Sequence, residues 1–317
     1  MASDMATCPP VVRDAISDDA RERAYPLPNN TSCEIQRLDG QHAVFAIRTR
    51  KLYHAQFPLG QSPPRVVDLG CGTGVWTRRF ASTHPDSHVL GIDLHPPTGK
   101  ATDGGDTPSN CTFAEADMEE DWSLFPAQDG EAPAPFDFVY IRMLMAAVQD
   151  WPGLFKRAYQ NLRPGGKIEV FEGLMEMNAE DGKSTASTSA AIRWFELAQQ
   201  YLALHSIKWD LARDIPQQLT DAGFEVTEDL AFKMRLYPDN ADHVAHRIWV
   251  AAQYAYDMAD MISGMTGRMK RDMLDVMSAT EWDELEQAAR KELLEESGVR
   301  GFYTNLYIRV AQKPLDK

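Results

Sequence analysis

The sequence predicts an α/β protein built on an open, mostly parallel sheet, and three observations carry that expectation. Val66-Val67-Asp68-Leu69-Gly70-Cys71-Gly72-Thr73-Gly74 runs from a buried apolar strand into three glycines on alternate positions, with a helix from Val75. Short β-branched runs follow at 88–94, 111–116, 136–141 and 167–171, separated by loops and helical stretches, a pattern that gives parallel strands with right-handed crossovers. After a long helical region the chain ends on Y-T-N-L-Y-I-R-V-A, a strand over 302–311 stopped by Pro314.

In chain order, residues 1–24 are polar and without periodicity, so they read as a tail. Tyr25-Pro26-Leu27-Pro28-Asn29-Asn30 is extended, because each proline holds its predecessor out of the α region. Thr31 or Ser32 then caps a helix through Leu38, His42, Phe45 and Ile47 to about 53, making 25–62 a helical lid on a main domain over 63–317. Residues 96–110 form a Gly/Pro-rich loop. Asp150 caps a helix with Pro152 in its first turn, and Arg163-Pro164-Gly165-Gly166 turns into the fifth strand. Helices are expected at 187–205, 214–222, 241–263 and 267–277, with Gly223 ending the second. Thr280 and Asp283 form a capping box, and Gly298 closes that last helix. The helical insertions fall at about 180–215 and 238–298.

Composition narrows the partners. The chain has 317 residues, 44% of them hydrophobic, and a formal net charge of −15. That allows a sizeable core and disfavours a nucleic-acid partner, since no Lys/Arg run is present. Cys8, Cys33, Cys71 and Cys111 lack metal-ligand spacing, so no metal is expected and the chain reads as reduced and cytoplasmic. Neither a secretory signal nor an apolar run long enough to span a membrane is evident.

The glycine turn brings backbone close to a ligand at the carboxyl end of a strand. A dinucleotide fingerprint needs a small residue at position 75, which is valine here. D-L-G-C-G-T-G after a strand instead resembles the first motif of class I S-adenosylmethionine-dependent methyltransferases. The resemblance implies a Rossmann-like fold of seven strands with an antiparallel last strand. It also implies S-adenosylmethionine as cofactor and S-adenosylhomocysteine as product. Gly70, Cys71, Gly72 and Gly74 would cradle the cofactor. Asp93, ending the second strand beside Leu94, can accept both ribose hydroxyls, or it caps a turn. By the family pattern Asp117 would meet the adenine amino group and Met118 the ring. Asp68 orders the loop or bears on the cofactor amine. Arg142 holds a carboxylate or forms a surface ion pair.

Methyl transfer is dominated by positioning, and a base is needed only when the acceptor carries a proton. His42, Tyr140 and Glu172 are the candidates, with His54 and His246 behind them; each has a structural alternative. Met234, Met258, Met261, Met265, Met269, Met273 and Met277 read first as core and second as an adaptable substrate wall, with Trp194, Phe195, Trp249 and Tyr254 beside them.

Further motifs narrow the likeness. Tyr25-Pro26-Leu27-Pro28-Asn29, Arg37-Leu38-Asp39-x-Gln41-His42, Asn110-Cys111-x-Phe113, Asp121-Trp122, Ile141-Arg142-Met143-Leu144, Asp150-Trp151-Pro152-x-Leu154-Phe155 and Leu162-x-Pro164-Gly165-Gly166-x-Ile168-Glu169 resemble the fungal LaeA-like methyltransferases. That likeness implies an N-terminal helix folding over the cofactor, with Tyr25, Arg37 and His42 near it. The short tail and divergent C-terminal cap favour a tailoring enzyme for a small-molecule substrate, O-methylation before N-methylation. The alternatives are a regulator of secondary metabolism, nuclear and acting through protein partners, or a cofactor-binding protein with other chemistry. The helical cap could also serve a homodimer.

Overall fold

The computed structural model describes residues 32–57, 63–98, 105–122, 135–238 and 244–315. The 1–24 tail and Tyr25 lie outside the described residues, as does the His246 side chain.

Five parallel strands form the body of the sheet: β1 (Arg65–Leu69), β2 (His88–Asp93), β3 (Cys111–Glu115), β4 (Phe136–Arg142) and β5 (Leu162–Gly173), in the order β3-β2-β1-β4-β5. The last strand, β8 (Phe302–Gln312), lies antiparallel to β5 on one side and to β7 (Glu225–Arg235) on the other. A two-residue strand, β6 (Asn178–Ala179), joins the end of β8 and is an addition to the seven expected.

Strands buried on both faces explain the near-continuous apolar runs. Val67, Leu69, Ile141 and Ile168 face α3 (Trp151–Asn161) and α5 (Ile215–Asp221). Val66, Phe138, Tyr140 and Phe171 face the opposite layer, built by α1 (Ser32–Thr49), α2 (Val75–Thr83), α4 (Ala190–Leu204) and α6 (Val244–Asp272). Asp68 pairs across the sheet with Tyr140, and Tyr140 with Glu169. A row of polar side chains therefore lies buried beneath the α1 layer.

Several local expectations needed correction. The first helix stops at Thr49, because Arg50 takes φ 59 and the chain leaves in an extended run. The two helices expected over 241–277 are one helix, α6. It continues through Gly264 and Gly267 because Ile262, Met265 and Met269 are buried and Thr266 accepts a 2.9 Å hydrogen bond from Trp194 Nε1. Tertiary packing there outweighs a glycine cost of about 1 kcal/mol each. The capping box belongs to Ser278 and Glu281, opening α7 (Ala279–Lys291). Thr280 lies inside that helix, and Asp283 is taken by Lys270 at 2.7 Å. Gly298 sits within α8 (Ser297–Arg300), whereas Gly301, at φ 68, ends it. Trp194, Phe195 and Tyr254 are core residues, and Trp249 is exposed on α6, so these four do not form one wall. Six of the seven clustered methionines are buried in the same core, with Met261 half-buried against it.

Candidate functional site

The carboxyl ends of β1, β2 and β4 converge on the glycine turn. Gly70, Gly72 and Gly74 all have positive φ, at 65°, 54° and 71°. At Gly70 a Cβ would stand 2.6 Å from Leu144 Cδ2 and 3.2 Å from Met118 Cε, so a side chain there would displace Leu144 as well as strain the left-handed backbone. The turn is tied down at both ends, Cys71 N–H donating to Ile92 O and Gly74 N–H to Cys71 O, each at 2.9 Å. Gly74 caps α2 without any side-chain acceptor, which leaves that helix end open to a ligand.

Asp93 ends β2 beside the turn. Its Oδ2 accepts from Gly72 N–H and its Oδ1 from His95 N–H, both at 2.9 Å. The side chain stays partly exposed, and each carboxylate oxygen keeps a further lone pair. Leu94 follows, half-buried. Asp117 Oδ1 accepts from Glu119 N–H at 2.8 Å and turns the chain so that Met118 packs beneath Gly70. Asp68 is buried below the turn and accepts from Thr77 Oγ1 at 2.6 Å. Burial pushes its carboxyl up to about 7, against the opposing pull of Thr77 and Arg142.

The lid side comes from α1. Leu38 Cδ1 lies 3.7 Å from where a Gly72 Cβ would stand, and Thr73 Oγ1 donates to Asp39 Oδ1 at 2.7 Å. Arg142, ending β4, meets His42 Nδ1 with Nη1 at 2.9 Å. Arg37 pairs with Glu34 on the same helix at 2.7 Å and faces α6, where it bears on buried Asp257.

The three base candidates sit in three different settings. Tyr140 is buried, stacked on Trp76 at 3.8 Å with an interplanar angle of 5°, and burial raises its hydroxyl far above the usual range. Glu172 is buried and accepts from Leu144 N–H at 2.5 Å, which makes it the anchor of the loop after β4; burial pushes it up to about 8. His42 is held down to about 2 by burial, then by Arg142 and Arg79. His54 is buried against Glu169, away from the turn, with Nδ1 3.7 Å from Oε1. The structure thus gathers Gly70, Cys71, Gly72, Gly74, Asp93 and Met118 around the turn, pairs Arg142 with His42 at the end of the neighbouring strand, and buries Tyr140 and Glu172. Asp39, Phe113 and Glu169 acquire roles that the sequence reading did not give them, although each stands inside a quoted motif. Among the described residues no cluster of His, Cys, Asp or Glu could hold a metal.

Comparison with known proteins shows the family. Residues 41–229 match the family described as Methyltransferase domain. The chain belongs to that family. This methyltransferase is 29% identical over 308 residues to the protein-methionine methyltransferase laeA of Emericella nidulans, covering 93% of this chain and 74% of that one. It is 34% identical over 161 residues to the methyltransferase pytC of Aspergillus terreus, covering 50% and 45%. A solved structure of Haemonchus contortus phosphoethanolamine N-methyltransferase 2 with S-adenosyl-L-methionine aligns with a TM-score of 0.43 at 19% identity, over 86% of this chain and 52% of that one.

S-adenosylmethionine is the cofactor of this methyltransferase, and the residues present fit it. Around the turn lie three glycines, an uncapped helix end, a carboxylate with spare lone pairs and the apolar Met118 side chain. No phosphate-binding lysine is required, because the cofactor carries no phosphate.

Proposed function

We propose that the methyltransferase acts on a small molecule, a fungal secondary metabolite, with an oxygen acceptor favoured over nitrogen. The observation that carries this reading is the roof over the turn. Leu38 packs over Gly72, Asp39 bonds Thr73, and His42 bonds Arg142. A reaction space lying under a helix suits a compact acceptor better than a folded surface. The net charge of −15 disfavours nucleic acid as acceptor.

Within this reading Gly72 N–H and Asp93 position the ribose. Met118 and Asp117 take the adenine, and Arg142 holds the cofactor carboxylate. Gly70, Cys71 and Gly74 keep the turn open, with Leu94 beside the ribose and Asp68 ordering α2 through Thr77. The cofactor supplies a methyl group already activated on sulfur. The chain supplies alignment and exclusion of water, worth many orders of magnitude when the geometry is right. With Tyr140, Glu172 and His42 all held in structural roles, no side chain here is assigned as general base.

A second reading rests on the laeA relative, whose name describes methylation of protein methionine and whose match spans most of this chain. Incubating the protein with methyl-labelled S-adenosylmethionine and a fungal extract separates the two. Label in the small-molecule fraction supports the first reading. Label confined to protein contradicts it and supports the second.

A further inference from the structure

Beneath α1, His42, His54, Tyr140, Arg142 and Glu169 line a cavity of about 10 Å³, walled by Phe45 and Phe171. That is room for one water molecule. The polar atoms around it are incompletely matched. An arginine only donates, so in the 2.9 Å contact with Arg142 Nη1 the His42 Nδ1 must accept. The neutral ring then carries its proton on Nε2. His42 is 2% exposed, and Nε2 has no protein partner. His54 Nδ1 also lacks one. Across the cavity Glu169 spends Oε2 on the N–H groups of His54 and Ala55, at 2.6 and 2.7 Å. Its Oε1 lies 3.7 Å from His54 Nδ1, too far for a direct hydrogen bond.

His42, His54 and Glu169 thus bring one orphan donor, one orphan ring nitrogen and one half-used carboxylate to the lining of a space the size of a water, and with the His54 proton on Nε2 that ring nitrogen accepts. A water there balances all three, accepting one proton and donating two. We propose that a single bound water links His42 Nε2–H to Glu169 Oε1 and His54 Nδ1, and that Glu169 through it fixes the His42 tautomer that aims Arg142 at the crevice. Glu169 and His42 are then positioning residues. Neither touches the methyl group. The opposite tautomer would set an N–H against the guanidinium and release Arg142. Burial and the charges of Arg142 and Arg79 keep the ring neutral, as the relay requires. The functional part rests on the assignment of Arg142 to the cofactor carboxylate.

Nitrogen-15 NMR of the full chain with S-adenosylhomocysteine reads the tautomer directly. The proton is expected on His42 Nε2 and not on Nδ1 from about pH 5 to 8, with a cross-peak from that proton to water. Glu169→Gln puts an amide donor where the acceptor stood and should speed exchange of the proton. Calorimetry with S-adenosylhomocysteine supplies the second arm. His42→Phe should weaken binding about tenfold. His42→Asn, whose side-chain oxygen stands near the Nδ1 position, should recover most of the loss. A proton on Nδ1, a dry cavity in a high-resolution crystal structure, or unchanged affinity in His42→Phe overturns the relay. Wild-type affinity in Arg142→Ala overturns instead the assignment on which the relay rests.

Discussion

The ring of Phe113 lies where a side chain on Gly91 would stand, 2.7 Å from the position of its Cβ. The two residues are direct neighbours across β2 and β3. The same ring comes within 2.6 Å of the Cβ position at Gly74, and the Arg78 guanidinium sits 4.7 Å over it. Arg78 also donates to Thr73 O at 2.8 Å. The glycine turn is therefore propped from below by an aromatic ring that only two glycines make room for.

Gly91→Ala is expected to cost about 1–3 kcal/mol by overpacking and to weaken cofactor binding by displacing the turn. Phe113→Leu in the same chain should return much of that loss. Denaturant unfolding of both single variants and the double measures the coupling; additive costs would show that the ring does not transmit the strain.

Glu172 sets a pH dependence whose sign follows from its raised pKa. In the folded chain the carboxyl keeps its proton up to about 8, whereas its ordinary value is 4.5. Between those values unfolding releases a proton, so this group makes stability fall as pH rises from 4.5 toward 8, by up to about 1.4 kcal/mol per pH unit. Glu172→Gln keeps an oxygen for Leu144 N–H and removes that slope. Its melting temperature should exceed the wild type's by a margin that widens from pH 5 to pH 8, with methyl transfer within a few-fold of wild type. A collapse of activity at unchanged stability would return Glu172 to the role of base.

The link between lid and turn is the 2.7 Å hydrogen bond from Thr73 Oγ1 to Asp39. Thr73→Val removes the donor at nearly constant volume and should cost α1 about 1 kcal/mol of docking free energy. Hydrogen exchange is expected to quicken in Ser32–Thr49 and to stay unchanged in Arg65–Leu69. Equal quickening in both would mean that the bond supports the whole domain.

Much of this fold was legible because its signals are local. Three alternate glycines after a buried strand can only be a tight turn, and strands buried on both faces read as continuous apolar runs. The errors have local causes too. Ser278-x-x-Glu281 and Thr280-x-x-Asp283 are overlapping cap patterns, and the choice between them depends on Lys270 drawing Asp283 to α6. Glycines at 264 and 267 suggest a break that buried methionines override. What stayed hidden depends on distant partners. Glu169 reads as one acid in a strand until His54, 115 positions earlier, is folded onto it. Asp39 and Phe113 gain meaning only through Thr73 and Gly91.

The central claim is that the turn and Asp93 together form the S-adenosylmethionine site. Calorimetric titration of the wild type and of Asp93→Ala with S-adenosylmethionine and S-adenosylhomocysteine tests it most directly, with melting temperatures as a control for folding. Micromolar binding of both ligands by the wild type, with at least about a tenfold loss in the folded variant, is the result this account expects. A folded wild type that binds neither ligand, or a variant that binds as tightly as the wild type, would contradict it.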